Sequence, residues 1–225
     1  MKGSVLVTGG ARRIGLAICE ELSARGWLVL VHSRNPQNPL CADFTQPDAA
    51  ERLFAAAVAQ APDLCAIVNC VAVFSTAADL PPDEVAAMKA VNVTAPLRLT
   101  ELLAAHLAKR QVTGAVVNLL DTRILKWLSP CVSSKGLSPY VASKLALARD
   151  TVTQARSLAS ALRVNGVAPG PVLPPSDTAN REKGGPILLP RRPTPADVAA
   201  AVAFLLEADA VTGQILAVDS GQCLL

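Results

Sequence analysis

The chain has 225 residues, 51% of them apolar and 17% charged, and its mean hydropathy is +0.37. That composition excludes a largely disordered chain, and with no Gly/Ser linker or charge run dividing it, one domain spanning 1–225 is expected. A formal net charge of only +3, with no basic cluster, argues against nucleic acid or a membrane surface as partner and leaves a small molecule. The six cysteines form no CxxC pair and no zinc-like spacing, so they read as reduced core thiols. His32 and His106 stand isolated, so a structural or solvated role is expected for both and no metal site. No apolar run approaches the ~20 residues of a membrane span, and MKGSVLVTGG is too short for a signal core, so a cytoplasmic location is expected.

In chain order, a strand over Ser4 to Val7 precedes a helix from Ile14 to Arg25, which Gly26 stops, and a second strand covers Leu28 to Val31. Only RNPQNP separates Ser33 from Leu40, where a third strand is expected to start. Its two prolines forbid a useful helix, so the helix between strands 2 and 3 is missing and one sheet face should be under-covered at that edge. Thr45 with Asp48 resembles a capping box for a helix from Pro47 to Ala61, and a strand follows over Leu64 to Asn69. A helix from Glu84 to Arg110, a strand from Ala115 to Leu120 and a helix from Tyr140 to Ala161 come next. After a strand at Val164 to Val167, the Pro- and Gly-rich stretch through Pro195 reads as irregular. Thr194 and Asp197 then cap a helix to about Ala208, and Gln214 to Val218 supply the last strand. This βαβα order, with strands apolar almost throughout, predicts an α/β fold: a doubly wound parallel sheet covered by helices on both faces.

TGGARRIG, Thr8 to Gly15, follows the first strand and opens the first helix. Gly9 and Gly15 allow a tight turn and close backbone approach, and free N–H groups at the helix start attract phosphate, so this is a dinucleotide-binding turn or a plain strand-to-helix turn. The second strand ends in His32, Ser33 and Arg34, where an acid would bind the ribose 2′-hydroxyl of NAD. Arg34 with Ser33, helped by Arg12, suits a 2′-phosphate instead, which points to NADP(H).

Tyr140 is the chain's sole tyrosine, and Lys144 lies one helical turn later in YVASK, where it can stabilise a phenolate. The pair arrives after TGGARRIG and after Asn92 in VNVTAP, and before RVNGVAPGPV, Arg163 to Val172. This ordered set resembles the short-chain dehydrogenase/reductase family over almost the whole chain. The resemblance implies a single-domain Rossmann-like sheet, Tyr140 as proton donor, Lys144 on the nicotinamide ribose tuning the tyrosine, and Asn92 holding a water in a proton relay. It implies that Gly9, Arg12, Arg13, Ile14 and Gly15 hold the dinucleotide and that Asp43 in ADF faces the adenine with Phe44 beside it. It further implies that Asn69 borders the cofactor and that Pro169, Gly170 and Val172 lie at the nicotinamide amide. The reaction class is hydride transfer between C4 of the nicotinamide and a C=O or C=N bond, and a homotetramer or homodimer packed through the Asn92 and Tyr140 helices is expected.

Departures narrow the substrate. Asp121 stands in VVNLLDTR where the family usually has serine, which is similar to the pteridine reductase branch; TGGARRIG and VTGQILAVDSGQ also resemble that branch and the dihydromonapterin reductases. Phe74 in NCVAVF matches the phenylalanine that stacks on the pterin, with Arg13 near the substrate. Phe74 stacks or packs in the core, and Asp121 recognises substrate or caps a turn. Cys70 and Ala72 replace the usual residues of the motif after the strand ending at Asn69. LSPCVSSKG, Leu128 to Gly136, nearly repeats LSPYVASKL, Leu137 to Leu145, leaving Asp121 nineteen residues before Tyr140. Only the second copy has a phenol, so the first is expected to loop out beside the substrate opening, with Cys131 and Lys135 outside the chemistry. The readings are an NADPH-dependent reductase of pterin-like heterocycles, a ketone or aldehyde reductase, or a cofactor-binding scaffold without turnover.

Overall fold

A computed structural model describes residues 2–128, 136–173 and 185–225. Strands β1 (Ser4–Thr8), β2 (Leu28–Val31), β3 (Leu64–Asn69), β4 (Gly114–Leu119), β5 (Leu162–Pro169) and β6 (Ile215–Val218) form one parallel sheet in the order β2-β1-β3-β4-β5-β6. Because successive side chains of a strand point to opposite faces, Leu6, Ile67 and Val116 enter one core layer and Val5, Val68 and Val117 the other. The first layer lies under helices α2 (Ala49–Gln60), α4 (Ala95–Arg110) and the end of α5 (Pro139–Ser157); the second lies under α1 (Arg13–Ala24) and α6 (Pro195–Glu207). This is the expected doubly wound architecture; as expected, no helix stands between β2 and Leu40, and α2 makes the crossover to β3. Among the described residues no helix is long and apolar enough to cross a membrane.

Three local expectations are corrected. The strand expected from Leu40 is reduced to one parallel bridge between Ser33 and Cys41. Two prolines remove donors from this short crossover, and Asn38 ties it down instead, its Nδ2 donating to Val31 O at 3.0 Å and its Oδ1 accepting from the Leu40 N–H at 2.8 Å. β2 is therefore the sheet edge, and of its four residues only Leu30 is buried. The capping box at Thr45 and Asp48 does not form: Thr45 donates both its N–H and hydroxyl to Asp43 Oδ1, and α2 starts after Asp48 in the left-handed region at φ 54°. The box at α6 does form, with Thr194 and Asp197 bonding reciprocally.

The helix expected from Glu84 to Arg110 is broken into α3 (Pro82–Lys89), a π-helical segment Ala90–Thr94, and α4. Such a bulge shifts the register of side chains beyond it, and it carries Asn92 to the site. The expected projection of the first repeat copy, with Cys131 and Lys135, falls at 129–135, outside the described residues.

Candidate active site

In a sheet of this order the chain reverses direction between β1 and β3, and ligands bind at the carboxyl ends of the strands flanking that point. Gly9, at φ +68°, occupies a conformation side chains rarely adopt, and a Cβ there would press on Val71 Cα at 3.1 Å; at Gly15 a Cβ would collide with the Gly9 carbonyl. α1 begins at Arg13, a non-glycine residue at φ 57°, and its first turn carries neither a side-chain cap nor an acid. That combination leaves the helix start suited to an anion. Beside the turn lies a cleft of about 700 Å³ lined by Gly9, Arg12, His32, Ser33, Arg34 and Leu40 among others. It opens along the edge strand β2.

The remaining expected cofactor residues are distributed as follows. Asp43 closes a turn on Thr45, whose N–H and hydroxyl hold the carboxyl below its ordinary range. Phe44 is buried in the core with its ring against His32, at 4.9 Å between centroids. Ile14 and Val172 are partly buried against the α1/α6 core layer, and Pro169 is buried at the end of β5. A Cβ at Gly170 would meet Asp219 Cβ at 2.9 Å, so the chain passes close to that residue. Asn69, at the end of β3, donates to Asn118 Oδ1 at 2.8 Å, and Asn118 donates to Thr151 Oγ1 at 2.9 Å. The Asn69 Oδ1 atom is buried and has no partner among the described residues. An acceptor of that kind at a strand end fits a polar ligand that can donate to it.

At the carboxyl end of β4, α5 places Tyr140 and Lys144 on one buried face. Ser138 caps the helix through Val141 N–H, and Pro139 starts it with a φ already suited to helix. Lys144 Nζ donates to Leu119 O at 2.7 Å; burial lowers its pKa to about 8, opposed by Asp121 and Cys70. Burial pushes the Tyr140 phenol well above its ordinary value, Asp121 adds to this, and Arg123 works against it. Asp121 caps a short 3-10 turn (Thr122–Trp127) through Arg123 N–H and also receives Arg123 Nε and Nη2 at 2.9 Å each. The Arg123 guanidinium lies 5.1 Å from the Tyr140 ring centre and 5.7 Å from that of Phe74. Phe74 is 47% exposed and meets Tyr140 edge to face at 4.8 Å, so its ring is at the surface and not in the core.

The chain matches the family described as enoyl-(acyl carrier protein) reductase over residues 9–222. It belongs to the short-chain dehydrogenase/reductase family. A solved structure of FolM alternative dihydrofolate reductase 1 from Brucella canis, complexed with NADP, is 31% identical with a TM-score of 0.82, covering 99% of this chain and 94% of that one. Dihydromonapterin reductase of Citrobacter koseri is 30% identical over 98% of this chain and 96% of its own. L-xylulose reductase of Caenorhabditis elegans is 29% identical over 96% and 94%. As a member of this family the chain is a nicotinamide-dependent oxidoreductase.

Within that family frame, the structure brings together Tyr140, Lys144, Asp121 and Phe74, and separately Gly9, Arg12, Ser33 and Arg34. Arg13 is exposed at the head of α1. Asn92 is fully buried, and its side-chain amide is engaged by protein: it accepts from Val73 N–H at 2.8 Å and donates to Val73 O and to Ser143 Oγ. The side chain thus clamps the strand exit leading to Phe74 onto α5. Two contributors escape a reading of motifs. Arg123 follows Asp121 by two residues, a spacing visible in DTR but meaningful only once the 3-10 turn folds the guanidinium back. His32 is a lone histidine, and nothing in its neighbours along the chain marks what it touches.

Proposed function

We propose that the chain is an NADP(H)-dependent reductase acting on a C=N or C=O bond of a pterin-like or similar flat conjugated heterocycle. The observation that carries the reading is the meeting of an exposed phenyl ring, Phe74, with Tyr140, which in turn faces the Asp121 carboxyl. The family resemblances to FolM and dihydromonapterin reductase, and the NADP complex of the former, support it. Arg12, Ser33 and Arg34 would hold the 2′-phosphate, and the uncapped start of α1 the pyrophosphate. The bound nicotinamide supplies or accepts hydride at C4.

The chain's own residues supply the rest. Arg123 places positive charge beside Tyr140 as it gives up its proton, Lys144 adds a second buried cation one turn along α5, and the clamp made by Asn92 fixes the segment bearing Phe74. Following NADPH absorbance with a panel of dihydropterins, quinones and simple ketones tests the reading. Turnover of ketones but not dihydropterins moves the assignment to a ketone or aldehyde reductase, which the engagement of Asp121 by Arg123 favours. NADPH binding with no turnover at all leaves the scaffold reading.

Three variants sharpen this. Arg34→Asp is expected to weaken NADPH binding and to favour NADH relatively, because an acid would then face the 2′-phosphate; equal affinity of the native protein for both cofactors would count against the 2′-phosphate site. Asp121→Ala should impair dihydropterin reduction more than ketone reduction. Phe74→Ala should raise KM for the heterocycle by the equivalent of about 1 kcal/mol, the scale of one aromatic contact, with kcat little changed. The same proposal includes a homodimer or homotetramer packed through α4 and α5, which light scattering of the purified protein would reveal.

A further inference from the structure

His32 is fully buried at the end of β2, directly beneath the cleft lined by Arg12, Ser33 and Arg34. Both of its ring nitrogens are used. Nδ1 accepts the Gly9 N–H at 3.2 Å, and Nε2 lies 3.0 Å from Ala42 O, which can only accept. The pair of contacts fixes the neutral tautomer with hydrogen on Nε2. Its backbone is engaged as well: its carbonyl receives the Gly10 N–H at 3.2 Å, and its N–H donates to Val7 O at 3.1 Å. Phe44 packs against the ring at 4.9 Å.

One side chain therefore joins the glycine turn to the segment carrying Asp43 and Phe44. No helix intervenes between β2 and that segment, and the connection is a loop with a single bridge, Ser33 to Cys41. The ring bridges that loop connection from Gly9 to Ala42.

From this geometry we infer that His32 is a positioning residue for the dinucleotide: it sets the spacing between the phosphate-binding turn and the segment carrying Asp43 and Phe44, and it does so only while neutral. The inference rests on the nicotinamide-cofactor part of the proposed function and not on the pterin substrate. A proton on Nδ1 turns the acceptor of the Gly9 N–H into a donor facing it, and the joint opens.

The charged and titratable groups on the surrounding segments are Arg34 next along the strand end, Arg12 and Arg13 in the turn, and Cys41 and Asp43 flanking Ala42. Burial is the main influence holding the His32 pKa below its ordinary value, the bond to Ala42 opposes it, and Arg34 reinforces it. A group neutral in the folded state and depressed in pKa gives its full contribution above the unfolded value of ~6.5 and loses it as pH falls through the folded midpoint. Acid should therefore loosen cofactor binding.

The test measures the NADPH dissociation constant by fluorescence from pH 7.5 down to the acid limit of the folded state for the native protein, His32→Phe and His32→Asn. The 2′-phosphate itself titrates in this range, but equally in every variant, so the ratio between variants isolates the histidine. His32→Phe, which keeps an aromatic ring without either nitrogen, should weaken NADPH binding about tenfold or more at pH 7.5, with the penalty shrinking as pH falls. His32→Asn, whose side-chain oxygen can still accept from Gly9, should recover part of the loss. A ratio independent of pH, or unchanged affinity in His32→Phe, overturns the inference. Should the phenylalanine variant fail to fold, the native protein's two histidine resonances suffice, since NADPH saturation must lower the midpoint of the buried one by linkage; an unmoved midpoint refutes the idea. A native protein that binds no NADPH overturns both this inference and the cofactor assignment, whereas binding without turnover sinks only the proposed reaction.

Discussion

Tyr140→Phe is expected to lower turnover by ~10² or more, the scale of a lost general acid, while leaving the fold and NADPH binding in place. The ring is buried and edge-packed against Phe74, so phenylalanine keeps the volume and the aromatic contact and removes the hydroxyl alone. That hydroxyl faces Asp121 and Arg123, whose opposite charges pull its pKa in opposite directions while burial dominates and raises it. In the native protein the phenol is therefore protonated at neutral pH and able to donate. Steady-state rates on the best substrate of the panel, with NADPH affinity and a thermal melt measured alongside, check the prediction. Retained turnover in a folded variant would remove Tyr140 from the mechanism.

Lys144→Met should be as damaging to turnover but with a different signature. The ammonium is buried and donates to Leu119 O, and burial brings its pKa down to about 8. Below that pH it is charged and supports proton release from Tyr140; as pH rises through about 8 the charge is lost, so the native rate should decline along an alkaline limb with that midpoint. Methionine fills nearly the same space and abolishes both the limb and the rate. Global stability should change little, since relief of a buried charge offsets the lost hydrogen bond. A pH–rate profile of the native protein, with differential scanning of the variant, decides the matter. A variant that turns over normally, or a native profile flat through pH 8, would contradict the assignment.

Arg123 shows how a candidate site can be half visible. Asp121 stands out in LLDTR because a serine is usual there, and its capping of a turn was one of the two roles open to it. The structure shows that it does cap one, and that the same carboxylate also receives a guanidinium whose face lies against Tyr140 and Phe74. The spacing of two residues is present in the chain, but which way Arg123 turns depends on the 3-10 geometry after β4.

What the sequence by itself determined is the local and periodic content: the alternation of strands and helices, the glycine turn before α1, the one-turn spacing of Tyr140 and Lys144, and the absence of room for a helix between Ser33 and Leu40. Each of these follows from backbone sterics or a side-chain period acting within a few residues. The tertiary structure alone decided the partners. Asn69, Asn118 and Thr151 meet across three elements, Asn92 reaches Val73 and Ser143 only through a π-helical register shift, and the strand expected at Leu40 survives as one bridge because no helix presses it onto the sheet. His32 is the clearest case. A lone histidine carries no periodicity, and its task as a joint exists only because folding buries it between Gly9 and Ala42, where its two nitrogens must both find partners.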